Sequence, residues 1–398
     1  MNPEALGAAD LLRGYLDRIG FQQIYKFITG VNQYAVAPSM IAKATASDVA
    51  RFFDTVLYDQ SDLQLLQCLL FGRPARFDEL SRSEAPVAEA LVRGGVLGDD
   101  EQRIVPADYQ LISAFGVDLL VDRRIHFGGI DIHEVYIGPD SYFMLYYVDT
   151  RSIRREHRAL DLCTGTGISA LYLSLFSDHV LATDIGAAPL KLVRFNRRLN
   201  HREERVEIRE QDLRETLQGG ERFDVLTCNP PFVAYPPGLQ GTLYSHGAGI
   251  DGLDYMRKVI DRAPDALNPG GCAYLVADLP GDEYGPYFVD ELKQIAATSG
   301  MAVDVYIDNV IPAELQVPPL AAYLEQLNPG QSRAEISLEL ESFQQFTLKA
   351  SRYYMSTVRL QPQAARQEVR VLRRYLLPRY GPADLPAEEE WPALLLQN

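Results

Sequence analysis

Hydrophobic residues follow two different spacings along this chain. In residues 48–71, DVARFFDTVLYDQSDLQLLQCLLF, apolar side chains recur at the spacing of an amphipathic helix. From Ala159 onward, short apolar runs such as ALDLCT, HVLATDI, FDVLTCNPP and GGCAYLVAD alternate with helical stretches. Alternation of this kind is typical of βαβ units. We therefore predict a mostly helical first part and an α/β part with a doubly wound, mainly parallel Rossmann-like sheet.

The first predicted domain covers residues 1–125 and has a winged-helix-like pattern. Two helical segments precede a two-stranded wing around Gly98 and Asp99. Modules of this kind often bind DNA, but the turn of this wing carries Asp99, Asp100 and Glu101, which would repel phosphate. The wing therefore does not favour a DNA-binding role.

The predicted α/β domain covers residues 126–360. Its first part, 126–150, is predicted to form strands that are interrupted by a turn at Gly138 and Pro139. The other predicted segments are strands near 301–309 and 343–360, an insertion near 311–342, and a C-terminal extension over 361–398.

Composition and charge disfavour several classes of function. The chain has 398 residues and a net charge of -16, whereas a nucleic-acid-binding protein usually presents Lys and Arg to phosphate, so we expect no nucleic-acid partner. The cysteines form no CxxC pair and the histidines are scattered, which predicts reduced thiols and no metal site. No signal peptide and no apolar run of about 18 residues is evident, so we expect a cytoplasmic protein without a membrane span.

A glycine-rich turn in ALDLCTGTGISAL, residues 159–171, joins a predicted buried strand to a predicted helix. Gly165 and Gly167 would let the backbone approach a ligand where a Cβ would clash. The helix that begins near Ile168 would offer free N–H groups to an anionic group. Asp184 closes the next strand about 20 residues further on, where an acid can contact ribose hydroxyls. Together these features predict a site for an adenosine-containing cofactor.

Two further acids narrow the choice of cofactor. Asp161 precedes the glycines and could contact the ammonium of S-adenosylmethionine, a cation that a dinucleotide lacks at this place. Asp212, in EIREQDL, could reach the adenine amino group, with the Leu213 N–H nearby. Three acids in this order favour S-adenosylmethionine over a dinucleotide.

Four motifs in order, DLCTGTG, TDI, QDL and NPPF, resemble the class I S-adenosylmethionine-dependent methyltransferases. More narrowly, the chain resembles the N5-glutamine methyltransferase group and its small-methyltransferase-domain relatives over roughly residues 130–300. The segment GAGIDGLDYMRK continues this resemblance. The resemblance implies methyl transfer to nitrogen. It does not fix the acceptor, because the segments that normally set substrate choice differ from those of the release-factor enzymes.

The NPPF motif would lie at the carboxyl end of a strand, where parallel sheets bind ligands. We expect Asn229 Oδ1 and the Pro230 carbonyl to accept hydrogen bonds from the acceptor nitrogen, while Phe232 forms an apolar wall. The predicted catalytic residues are Asn229, Pro230, Pro231 and Phe232. The predicted cofactor-binding residues are Asp161, Thr164, Gly165, Gly167, Asp184, Asp212, Leu213 and Asn229.

The sequence thus predicts an S-adenosylmethionine-dependent N-methyltransferase that acts on a small amine, amide or amino-acid-like acceptor, with a protein glutamine as the alternative. Two other functions stay open: a cyclase or lyase that releases methylthioadenosine, and a non-enzymatic winged-helix regulator that senses the cofactor. A dehydrogenase function is disfavoured, because it would leave the NPPF motif unexplained. Cys163 and Cys228 are predicted to be packing residues, and candidate pocket or lid residues are Tyr235, Tyr244, His246 and Tyr255.

Overall fold

The computed structural model describes residues 1–29, 63–106, 108–122, 135, 137–241, 248–362 and 368–373. None of the helices in these ranges is long and apolar enough to cross a membrane. Of the helix predicted within residues 48–71, only the end, Gln64–Phe71, lies among the described residues, and it is helical.

The N-terminal part combines helices with a small antiparallel sheet. The helices are α1 (Ala5–Ile19), α2 (Phe21–Thr29), α3 (Gln64–Phe71) and α4 (Ala85–Arg93). The strands are β1 (Ala75–Arg76), β2 (Leu97–Asp100) and β3 (Arg103–Pro106), with a 3₁₀ turn at Phe77–Glu79. The antiparallel pair of β2 and β3 confirms the predicted wing, which turns through Glu101 and Gln102 at left-handed φ angles of 46° and 71°.

The α/β part is built on one eight-stranded sheet. Its strands are β6 (Arg158–Leu162), β7 (His179–Asp184), β8 (Val206–Glu210), β9 (Phe223–Cys228), β10 (Leu267–Gly281), β11 (Met301–Pro312), β12 (Arg352–Pro362) and β13 (Val369–Arg373). They pair in the order β13-β11-β12-β10-β9-β6-β7-β8. Of these eight strands only β12 runs antiparallel to its neighbours, which confirms a mainly parallel sheet.

Helices cover both faces of this sheet. They are α5 (Pro139–Tyr147), α6 (Ile168–Leu173), α7 (Ala187–Leu199), α8 (Leu213–Gln218), α9 (Asp254–Ala266), α10 (Phe288–Ser299), α11 (Ala313–Leu327) and α12 (Arg333–Ser342). A 3₁₀ turn lies at Thr150–Ser152. The segment predicted as an insertion near 311–342 consists mainly of α11 and α12.

Alternate residues of the central strands face two separate cores. Ala159 on β6 and Val225 on β9 pack into a core shared with the N-terminal helices, whereas Leu160 and Leu226 pack into a second core on the other face. Strands covered on both faces need continuous apolar runs, which is the pattern seen in the sequence. Because these strands run parallel, their carboxyl ends lie at one edge of the sheet and bring several loops together there.

The prediction of a turn at Gly138 and Pro139 with strands on either side is wrong for the second strand. Residues Pro139–Tyr147 form α5 instead. Gly138 is extended, with φ of -151°, and the fixed φ of Pro139 suits the first position of a helix, so this dipeptide begins a helix. Most of the strand predicted before Gly138 lies outside the described residues.

The predictions for the C-terminal strands are partly corrected. The strand predicted near 301–309 is confirmed as β11. Residues Phe343–Leu348, predicted to begin a strand, form a π-helical turn, and β12 starts at Arg352. The predicted C-terminal extension contributes β13 at the sheet edge, and the residues after Arg373 lie outside the described part of the chain.

A hairpin that was not predicted, β4 (Tyr109–Ala114) and β5 (Val117–Asp122), joins the N-terminal part to the α/β part. The buried Asn196 side chain on α7 accepts a hydrogen bond from Leu120 N at 2.8 Å and donates to Leu120 O at 2.9 Å. It also donates to the carbonyl of Thr166 at 2.8 Å. Since Thr166 lies in the glycine-rich turn, one amide side chain ties the hairpin to that turn.

Candidate active site

The glycine-rich turn lies between β6 and α6 at the carboxyl edge of the sheet. Thr164 N donates a hydrogen bond to the carbonyl of Thr183 on the neighbouring β7 at 3.0 Å. Cys163, Gly165 and Gly167 have left-handed φ angles of 54°, 54° and 85°. These angles reverse the chain within a few residues, so that the backbone of the turn faces the open end of the sheet.

Gly167 is required by packing as well as by its φ angle. A Cβ on this residue would lie 2.5 Å from Cγ2 of Val193 on α7. Gly167 does not line the cavity at the carboxyl edge, whereas Gly165 does. Packing against α7 therefore explains why residue 167 is a glycine. The predicted contact between Gly167 and a cofactor remains a prediction.

Asp161 holds the turn to the sheet. Its Oδ2 accepts hydrogen bonds from Thr164 Oγ1 at 2.6 Å and from Ala170 N at 3.1 Å, and its Oδ1 accepts one from Thr227 Oγ1 at 2.8 Å. Burial raises the pKa of this carboxyl to about 6, and these hydrogen bonds oppose the rise. Three of roughly four acceptor positions on the carboxylate are therefore used within the protein, and its predicted contact with the cofactor ammonium stays a prediction.

Asp184 retains more capacity for a ligand. Its Oδ2 accepts from Gly165 N at 3.0 Å and its Oδ1 accepts from Gly186 N at 2.9 Å. Burial raises the pKa of Asp184, and the backbone hydrogen bonds oppose that rise. An ionised carboxylate offers roughly four acceptor positions, so about two remain for donors such as the hydroxyls of a ribose.

The segment at the start of α8 contains a hydrogen-bond acceptor that was not predicted from the sequence. Asp212 caps α8 and accepts hydrogen bonds from Arg214 N at 2.7 Å and from its guanidinium at 2.8 Å, which lowers the pKa of Asp212. The preceding residue, Gln211, has a buried Oε1 that receives no hydrogen bond from the described residues. Gln211, Asp212 and Leu213 all line the cavity. An orphaned buried oxygen at this position suits a ligand that brings its own N–H donor.

The NPPF motif follows β9 directly, at the same edge of the sheet. Asn229 Nδ2 donates to Asp140 Oδ2 at 2.7 Å and to Ser141 Oγ at 3.0 Å, both at the start of α5. Pro230 is buried, while Pro231 and Phe232 are half-buried. The α5 contacts were not predicted, because residues 126–150 were expected to form strands and not a helix.

One cavity, with about 1230 Å³ of empty space including its open mouth, gathers these features. The predicted site residues that line it are Asp161, Thr164, Gly165, Asp184, Asp212, Leu213, Asn229, Pro230, Pro231 and Phe232. Ser141, Gln211 and Tyr255 line it as well. Two of the candidate pocket or lid residues, Tyr244 and His246, lie outside the described residues.

The two cysteines near the cavity differ in exposure. Cys163 is half-buried and lines the cavity, whereas Cys228 is fully buried and its pKa is raised, mainly by burial. A thiol with a raised pKa is a poor nucleophile at neutral pH. Cys228 therefore acts as a packing residue at the end of β9.

Residues 137–298 match a family model described as the methyltransferase small domain. This chain carries a class I methyltransferase domain of that group. The release factor glutamine methyltransferase of Clostridium acetobutylicum is 27% identical to it over 170 residues, which are 38% of this chain and 59% of that protein. The ribosomal protein uL3 glutamine methyltransferase of Neisseria gonorrhoeae is 36% identical over 124 residues, 29% of this chain and 41% of that protein.

The family model covers the methyltransferase domain, and the N-terminal part lies outside its residues 137–298. The chain spans only about half the length of the two relatives named above. Among solved structures, the S-adenosylmethionine-dependent methyltransferase of Agrobacterium tumefaciens is 16% identical, with a TM-score of 0.41 over 65% of this chain and 71% of that chain.

The methyltransferase domain uses S-adenosylmethionine as its methyl donor, as its family does. The residues of the cavity fit this molecule. Asp184 has acceptor positions left for ribose hydroxyls, the orphaned Gln211 Oε1 can accept from an adenine amino group, and Leu213 offers an apolar contact.

Proposed function

We propose that this protein methylates the side-chain amide nitrogen of a glutamine in a protein substrate. Both relatives named above are glutamine methyltransferases, one named for a release factor and one for ribosomal protein uL3. Neither name refers to a small molecule, so the protein-glutamine alternative is better supported than the small-molecule acceptor favoured by the sequence alone.

The observation that carries the proposal is the orientation of the Asn229 amide in the cavity. The carboxylate of Asp140 accepts a hydrogen bond from Asn229 Nδ2, which fixes the amide nitrogen on the α5 side. Asn229 Oδ1 then faces away from α5, and no described residue donates a hydrogen bond to it. An acceptor oxygen that is fixed and unpaired is suited to receive an N–H group of an incoming amide.

A primary amide has two N–H groups, so two acceptors are needed to orient it. We assign the second to the carbonyl of Pro230, since Pro230 and Pro231 both have restricted φ and stiffen the turn that carries this carbonyl. Hydrogen bonds accepted from both N–H groups would fix the position of the acceptor nitrogen. Phe232, half-buried in the cavity wall, would exclude water from one side of the bound amide.

When bound, S-adenosylmethionine supplies an electrophilic methyl group on its sulfonium. An amide nitrogen is a weak nucleophile because its lone pair is delocalised into the carbonyl. Orientation by Asn229 and Pro230 is therefore the main contribution that these residues make, and correct alignment can lower a barrier by about 7–11 kcal/mol. A strong general base is not required, since the proton of the methylated amide is very acidic and can pass to solvent water after methyl transfer.

The inserted helices α11 and α12 support the chain segment that follows NPPF. Leu239 packs with Val317 and Leu324 in a small hydrophobic cluster. Asn328 Oδ1 accepts from Gln240 N at 2.7 Å, and Asn328 Nδ2 donates to Gln240 O at 3.0 Å. This reciprocal pair fixes the segment beside the NPPF motif, which makes the insertion a candidate for selecting the acceptor.

The test is to replace Asn229 with Ala and to measure release of S-adenosylhomocysteine with a glutamine-bearing protein acceptor. We expect kcat to fall about 100-fold or more, because the orienting contact is lost, while the Kd for S-adenosylhomocysteine changes by no more than about threefold. Asn309→Ala is the matched control, since among the described residues the Asn309 side chain accepts a hydrogen bond only from Val310 N. Near-normal turnover in Asn229→Ala would contradict the proposed role.

A further inference from the structure

The first turn of α5 carries two side chains that hold the Asn229 amide. Asp140 Oδ2 and Ser141 Oγ lie 2.7 Å and 3.0 Å from Asn229 Nδ2. Asp140 is 1% exposed and Ser141 is 5% exposed. The contact is therefore built into the interior of the protein, at the point where α5 meets the carboxyl end of β9.

The chemistry of these partners determines which way the amide points. An ionised carboxylate can only accept hydrogen bonds, so the NH₂ group of Asn229 must face Asp140 and the oxygen must face the other way. In the reversed orientation the amide oxygen would lie against a carboxylate oxygen, and the charge-assisted hydrogen bond would be lost. A hydrogen bond of this type favours one orientation by roughly 10-fold or more.

The elements around Asp140 keep its carboxylate in place. Gly138 is extended and Pro139 occupies the first position of α5, so the helix starts at a defined residue with Asp140 immediately after it. Helix α5 packs against β10, which pairs with β9, and against β12, which pairs with β10. Asp140 is thus held by the sheet that also carries Asn229.

We propose that Asp140 is a positioning residue for methyl transfer: its carboxylate, assisted by Ser141, orients the Asn229 amide so that Oδ1 faces the acceptor nitrogen. Asp140 acts through Asn229 and does not contact the acceptor. This inference rests on the proposed function for its kinetic consequence, whereas the orientation of the amide can be measured without any acceptor.

The kinetic experiment compares two substitutions of similar size. Asp140→Leu removes both acceptor oxygens, and we expect kcat to fall about 10-fold with little change in the Kd for S-adenosylhomocysteine. Asp140→Asn keeps one acceptor oxygen, so it should recover most of the loss. In the Asn229→Ala background, Asp140→Leu should cause no further loss, because the residue through which Asp140 acts is gone.

Asp149→Leu is the control, since Asp149 follows the same helix but its exposed carboxylate contacts Arg151 and not Asn229. Its kcat should equal that of the wild type. A wild-type kcat for Asp140→Leu, or the same fractional loss with and without Asn229, would overturn the proposal. If Asp140→Leu does not fold, Ser141→Ala takes its place, with an expected loss of a few-fold.

The acceptor-independent experiment uses nuclear magnetic resonance of protein labelled with ¹⁵N at asparagine. The side-chain NH₂ signal of Asn229 is identified by its absence in Asn229→Ala. We expect it to be shifted downfield and to exchange slowly with water in the wild type, and to lose both properties in Asp140→Leu. An Asn229 signal that is unchanged by Asp140→Leu would refute the orientation, whereas an altered signal with no glutamine methylation would refute only the proposed function.

Discussion

Replacing Gly167 with Ala tests why the glycine-rich turn has its sequence. Gly167 combines a left-handed φ of 85° with a close approach to α7, where an added Cβ would lie 2.5 Å from Val193 Cγ2. Gly220 has a similar φ of 73°, but an added Cβ there would meet no atom within 4 Å. The pair of variants therefore separates the cost of the backbone conformation from the cost of the contact.

The expected magnitudes follow from this difference. An alanine in the left-handed conformation costs about 1–2 kcal/mol at either position. The contact with Val193 adds about 1–3 kcal/mol for Gly167→Ala, because α7 or the turn must shift to make room. The gain from a less flexible unfolded chain, about 0.4–1 kcal/mol, is common to both variants and cancels in the comparison.

The assay is urea-induced unfolding, with the free energy of unfolding compared among wild type, Gly167→Ala and Gly220→Ala. We expect Gly167→Ala to be less stable than Gly220→Ala by about 1–3 kcal/mol. Adding Val193→Ala to Gly167→Ala should cause less than the sum of the two single losses, because the clash is removed. Equal destabilisation by the two glycine substitutions would refute the packing argument.

Two further predictions concern polar groups at the same edge of the sheet. Gln211→Leu should weaken binding of S-adenosylhomocysteine by about 3- to 10-fold, as measured by calorimetry. It should not lower Tm, because the buried Oε1 receives no hydrogen bond from the described residues that could be lost. The control Gln218→Leu should leave the affinity unchanged, and an unchanged affinity in Gln211→Leu would contradict the prediction. Burial and the nearby Asp140 raise the pKa of Asp278 to about 7 from its usual 3.8, so the native state loses stability as pH rises between these values. Asp278→Asn should therefore raise Tm at pH 8 and leave it nearly unchanged at pH 4, and an equal change at both pH values would contradict this assignment.

The parallel sheet could be predicted from sequence because its central strands are buried on both faces. That burial forces the continuous apolar runs around Leu160, Leu181 and Leu226, and such runs are visible without any knowledge of tertiary structure. The NPPF motif was equally visible, since two consecutive prolines directly after an apolar run end the strand that this run predicts. These features depend on local sequence alone.

The contacts that complete the site could not be predicted in this way. Asn229 meets a carboxylate that is 89 positions away in the sequence, on a helix that begins at Pro139, and the Gly138–Pro139 pair would also suit a turn. Local pattern cannot decide between these two uses of a Gly-Pro pair, because the decision depends on what the following residues pack against. The role of Asn196, which joins β5 to the glycine-rich turn, is hidden for the same reason.

Gln211 could not be predicted from the sequence for a different reason. Its position beside Asp212 and Leu213 is plain from the sequence, yet a glutamine before an acid carries no signal of its own. Only the structure shows that its oxygen is buried and receives no hydrogen bond from the described residues. The signal that could have identified Gln211 is a polar side chain directly beside a motif residue, here Asp212.

We propose that the methyltransferase domain transfers a methyl group to a protein glutamine. The most direct test is mass spectrometry of the purified full chain incubated with S-adenosylmethionine and with a release factor or ribosomal protein uL3 as acceptor. We expect S-adenosylhomocysteine together with one added methyl group on a glutamine of the acceptor, and loss of both with Asn229→Ala. Methylthioadenosine released without any acceptor, or a methyl group found only on small molecules, would contradict it.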